Sequence, residues 1–138
     1  MSCFNRSARR ELRRFFKIGL VLHQRGELAK MPTCYVDTYW HQLAERPAEY
    51  RQFCLSAVGV QVEHASTNGK GVLNWVLEYE DRFGRLPEVW FTDLKGNLNQ
   101  KAYARYLKIG RVDASWNCGP LPSGVPLKET KKPSATLV

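Results

Sequence analysis

The 138-residue sequence predicts an all-α fold, a small single-domain bundle of four or five helices with a flexible, basic tail containing Pro and Gly at its C-terminal end. Three observations carry that expectation. Length and a 43% hydrophobic content suit one compact core rather than two. Apolar residues recur at three- and four-residue spacing through most of the chain, in segments stopped by Gly or Pro. Beyond Gly110 the composition shifts to Gly119, Pro120, Pro122, Gly124, Pro126 and Pro133, which places a helical domain at residues 1–118 and a tail at 119–138.

Each element follows from its spacing and its breakers. Over residues 7–24, Ala8, Leu12, Phe15, Phe16, Gly19 and Leu22 share one helical face, while Arg9, Arg10, Arg13, Arg14 and Lys17 fall elsewhere, and Gly26 ends the segment. After Pro32, Thr33 is placed to cap a second helix bearing Val36, Tyr39, Trp40 and Leu43. Pro47 stops that helix and suits the first position of a third, in which Tyr50, Phe53, Cys54 and Ala57 face inward up to Gly59. Residues 65–70 read as a polar turn. Val72, Trp75, Val76, Tyr79 and Phe83 then mark a fourth helix closed by Gly84. Residues 88–93 are too short to assign, and Asn97 is placed to cap a last helix over 98–109, with Ala102, Tyr106 and Leu107 inside.

Charge is distributed unevenly. Residues 1–30 carry eight Lys/Arg against two Glu, residues 31–95 six against nine acidic residues, and residues 96–138 seven against two, so the net +8 belongs to the two ends. Cationic flanks on a slightly acidic core attract polyanions or acidic partners, or simply keep a small protein soluble. Arg9, Arg10, Arg13 and Arg14 at one end, and Lys101, Arg105, Lys108 and Arg111 at the other, are the candidate contacts. Tyr103, Tyr106 and Trp116 lie among the second group, where aromatics could stack on unpaired bases or pack against the core. The longest apolar run, residues 18–22, is far too short to cross a bilayer. Cys3, Cys34, Cys54 and Cys118 include no CxxC pair, and the Arg-rich N-terminus does not make a secretory signal, so a reducing cytoplasm is expected.

One constellation points to metal chemistry. Asp37 and His41 stand four apart on one predicted helix, Cys54 lies on the next, and His64 follows it, in the spacing D-x3-H-x12-C-x9-H. If the two helices pack as a hairpin across the Pro47 junction, a carboxylate, two imidazoles and a thiolate meet near one end, a donor set suited to four-coordinate zinc. Each residue also has a structural explanation: a small core Cys, a hydrogen-bonded His, a helix-surface Asp, a loop His.

The same residues carry a family resemblance. The run MPTCYVDTYWHQLAERPAEYRQFCLSAVGVQVEH, residues 31–64, resembles a segment of bacterial and plant glycine-rich domain-containing-like proteins written P-[ST]-x3-D-x2-WH, then FC, then a Gly five residues before a His. Pro32, Asp37, Trp40, His41, Tyr50, Phe53, Cys54, Gly59 and His64 stand at the matching positions, and Trp75 and Pro87 extend the likeness over residues 10–94. The resemblance implies an all-helical domain in which Asp37, His41, Cys54 and His64 act together, and it implies no reaction. Two positions depart from the pattern: Glu63-His64 replaces a His pair, and NCGPLPSG replaces a Gly/Cys-rich tail.

The expected function is a non-enzymatic binding, adaptor or regulatory module with a structural zinc ion in its central hairpin and basic flanks that contact a partner. Nucleic-acid binding through those flanks is the alternative. A Cys-His enzyme built on Cys54 comes third, since Phe53 and Leu55 flank that thiol on an apolar face.

Overall fold

The computed structural model describes residues 3–124. Among the described residues are five α-helices: α1 (Cys3–Gln24), α2 (Tyr35–Ala44), α3 (Pro47–Val58), α4 (Val76–Phe83) and α5 (Gln100–Ile109). A 3₁₀ turn spans Glu88–Phe91. The all-α expectation is nevertheless wrong, because β1 (Met31–Pro32), β2 (Val62–Val72) and β3 (Asp113–Pro122) form an antiparallel sheet in the order β1-β3-β2. The fold is mixed α/β rather than a helical bundle.

The helices obey their local signals. Pro47 opens α3, and Gly59 and Gly110 close α3 and α5 in the left-handed conformation at φ 77° and 73°, a region that costs glycine little. Two caps move. Asn99, not Asn97, accepts the Ala102 N–H at 3.1 Å to start α5, while Cys34 rather than Thr33 is the residue before α2. α4 begins at Val76 instead of residue 72, because the preceding residues are held by distant backbone: the Leu73 N–H donates to the Val112 carbonyl, and Asn74 Nδ2 to that of Leu28.

The sheet consists of segments whose local sequence argues against strands. The presumed turn at 65–70 is the middle of β2, paired with β3 from Val62↔Pro122 to Val72↔Asp113, with a register shift between Ser66 and Gly69. Trp116 of β3 lies over Gly69, where a Cβ would sit 2.8 Å from the indole, and Gly71 adopts a positive φ of 145° that other residues rarely take. β3 runs to Pro122, so residues 119–122 of the expected tail are sheet and 123–124 form a turn after it, while residues 125–138 lie outside the described residues. Pro120 and Pro122 lie past the reach of β1, which pairs only with Cys118 and Trp116, so β3 there has a neighbour on one side and tolerates the missing N–H.

α1 crosses the sheet and organises the core. Leu12, Phe15, Phe16, Ile18 and Leu22 are buried in one cluster with Trp40, Phe53, Trp75 and Trp90; Phe15 and Phe16 meet Trp40, Trp75 and Phe53 edge-on at 5.1–6.4 Å, and Phe15 meets Trp90 at a tilt at 5.7 Å. Gly19 allows β3 to approach, since a Cβ there would meet Pro120 Cγ at 2.6 Å. Within this apolar layer Glu11 is fully buried and accepts from Tyr79 Oη (2.5 Å), Trp90 Nε1 (2.9 Å), Arg10 Nε (2.9 Å) and Arg14 (3.2 Å).

A candidate metal centre of three segments

The first turn of α2 buries Asp37 and leaves His41 half exposed one turn later, with the imidazole Nε2 3.3 Å from Asp37 Oδ1. β3 brings Cys118 to the same oxygen: its thiol donates to Asp37 Oδ1 at 3.4 Å from a fully buried position. β2 supplies His64, whose ring centre lies 4.4 Å from that of His41. One donor atom from each of Asp37, His41, His64 and Cys118 lies within 4.8 Å of every other.

Cys54 is not part of this group, which corrects the expected ligand set. Its thiol is buried on α3 near Tyr50 and Val62, and burial raises its pKa. The hairpin of α2 and α3 forms as anticipated, but the inward face of α3 points to the core while the ligands gather where α2 meets the sheet. Cys118 stood in the sequence within NCGPLPSG, a stretch read as the edge of a tail. Only the pairing of β3 with β2 brings it opposite Ser66, two residues from His64.

A hydrogen-bonded frame holds the two imidazoles together. Trp40, adjacent to His41, sets its ring edge-on to His64 at 4.7 Å. Its indole N–H donates to Tyr50 Oη at 3.0 Å, and that hydroxyl donates to the Val62 carbonyl at 2.6 Å. The relay ties α2 to the start of β2, so the histidine-bearing elements are fixed by buried groups with satisfied partners.

Burial disfavours uncompensated charge in the site. Burial raises the Asp37 pKa against the opposing pull of His41, and burial followed by the Asp37 carboxylate pushes the Cys118 thiol well up. Burial, with His41 second, lowers the His64 pKa and keeps its imidazole in the neutral form that ligates. A carboxylate and a thiolate would neutralise a divalent ion, and their charged forms are penalised without one. Tetrahedral geometry with bonds of about 2.0–2.3 Å requires donors roughly 3.3–3.8 Å apart, which the two contacts to Asp37 already approach. Two nitrogens and a sulfur suit zinc rather than magnesium or calcium.

The basic residues divide into two groups. On α1, Arg9 donates to Tyr39 and stacks on Phe53, Arg13 donates to Ser56 and stacks on the same ring, and Arg14 binds Glu11 and Tyr79 over Phe83. Arg10 is paired with Glu11. On α5, Lys101 and Lys108 are exposed and have no hydrogen-bond or ion-pair partner among the described residues, while Arg105 and the following Arg111 share Asp113. No helix among the described residues is long and apolar enough to cross a membrane. Comparison with protein-family models, curated proteins and solved structures finds no match to this chain.

Proposed function

We propose that the protein is a zinc-stapled binding module in which Asp37, His41, His64 and Cys118 hold one ion that clamps α2 to β2 and β3. The observation that carries this reading is the convergence of four donors from three separated segments within 4.8 Å. Such a site is structural: four protein donors fill a tetrahedral zinc shell and leave no position for substrate. The ion supplies a cross-link and charge neutralisation. Asp37 and Cys118 form its buried floor, His41 and His64 its exposed rim, and Trp40 and Tyr50 orient the rim. The resemblance to glycine-rich domain-containing-like proteins is retained as part of this proposal, with Asp37, His41 and His64 as its shared ligands and Cys118 replacing Cys54.

An adaptor role agrees better with the thiols than an enzymatic one. Cys34, Cys54 and Cys118 are all buried, and burial raises the pKa of each, to about 12 for Cys34, the opposite of an activated nucleophile. Metal analysis of untagged protein is the test. About one equivalent of zinc is expected, lost in Cys118→Ser and His64→Ala and kept in Cys54→Ala. Less than about a tenth of an equivalent in the parent protein, after dialysis against zinc, refutes the proposal.

A further inference from the structure

We infer that the outer face of α5, continued by Arg111, is a docking ridge for the phosphate backbone of duplex nucleic acid. Lys101, Arg105 and Lys108 stand at i, i+4 and i+7, so they share one face and extend over roughly 10 Å of helix. All three are exposed, and Ala104 between them adds no bulk. Arg105 and Arg111 both contact Oδ2 of Asp113, at 2.6 and 3.3 Å. One carboxylate oxygen occupies a single donor of each guanidinium, so the shared aspartate holds two arginines side by side with most of their N–H groups free. Counting that aspartate, the ridge carries a net charge of about +3.

The surroundings of the ridge select the occupant. Leu107 and Ile109 are 43% and 50% exposed, but two residues along a helix turn them about 200° apart, onto opposite flanks. A protein partner or a lipid surface would therefore find no apolar centre on this face to bury. Single-stranded bases would find no stacking platform: Tyr106 is buried, Tyr103 packs on Phe91 at 5.2 Å, and Trp116 lies over Gly69 under Lys30. A row of phosphates requires only the cations. On α1, Arg9, Arg13 and Arg14 lie over Phe53 or Phe83 and Arg10 pairs with the buried Glu11, so Arg6 and Lys17 are the exposed cations against which the ridge is compared.

The test is fluorescence anisotropy of a labelled 20-base-pair DNA duplex, the matching single strand, polyglutamate and phosphatidylglycerol vesicles with the full chain. With about three phosphates neutralised, duplex affinity is expected to fall roughly 40-fold between 50 and 200 mM salt, a log–log slope near −2.7. Lys101→Glu with Lys108→Glu should weaken duplex binding at least tenfold and flatten the slope by about 1.8. Arg6→Glu with Lys17→Glu, an equal charge change on exposed residues of α1, should change it less than about threefold. The inference is overturned if the duplex does not bind at 50 mM salt, if the α1 variant weakens binding as much as the α5 variant, or if the single strand, polyglutamate or vesicles bind as well as the duplex.

Discussion

Replacing Glu11 by Ala removes a carboxylate that four donors address from inside and beside the core. The O–H of Tyr79 and the N–H of Trp90 would be left without an acceptor in a space closed to water, and an orphaned buried donor costs about 1–3 kcal/mol. Arg10 and Arg14 are 52% and 31% exposed, so water recovers most of their interaction and each adds under about 1 kcal/mol. These add to about 2–8 kcal/mol, a range that spans the roughly 3–5 kcal/mol found when a buried ion pair loses one partner, which is the expected loss. A domain of this size shifts its midpoint by roughly 3–5 °C per kcal/mol, so a fall in Tm of about 10–20 °C is expected. Thermal denaturation followed by circular dichroism, with zinc in excess to hold the metal site constant, measures it. Glu11→Gln, which keeps one acceptor oxygen, should lose about half as much, and a double-mutant cycle with Tyr79→Phe should show coupling of about 1 kcal/mol or more. A loss below about 1 kcal/mol for Glu11→Ala would refute the view that this carboxylate is the polar anchor of the core.

Four further outcomes follow from the same geometry. Tyr50→Phe breaks the link from Trp40 to the Val62 carbonyl and should weaken zinc binding about 10- to 100-fold in a chelator competition, with a changed absorption spectrum of the cobalt-substituted protein. Because the Cys118 thiol is held protonated, zinc must displace that proton; affinity should rise about tenfold per pH unit from pH 6 to 8, with proton release visible by calorimetry in two buffers. In the metal-free protein, His64 has a native pKa below its unfolded value of 6.5, so its contribution to stability is present above pH 6.5 and is lost as pH falls through the native pKa, a loss that His64→Gln should abolish in pH-dependent urea titrations. Gly119→Ala drives a methyl into the Ala29 carbonyl and the Leu28 side chain, and should cost about 1–3 kcal/mol in urea denaturation while loosening Cys118 next to it.

The amino-acid sequence by itself determined the helices, because helical hydrogen bonds close within four residues and their signals are equally local. Pro47, Gly59, Gly84 and Gly110 mark boundaries that the structure keeps, and the spacing of Ala8, Leu12, Phe15 and Leu22 names the buried face of α1. It also placed Asp37 and His41 together, four residues apart on one helix, and marked His64 as a candidate donor that the structure brings beside them. The sheet was decided only by tertiary structure. β2 carries two glycines and a polar centre, β3 carries Pro120 and Pro122, and neither resembles a strand until the other lies beside it, roughly 50 residues away in the chain. That pairing selects Cys118 over Cys54 as the fourth donor. A ligand set assembled across a sheet depends on register between distant segments, and no spacing along one segment encodes it.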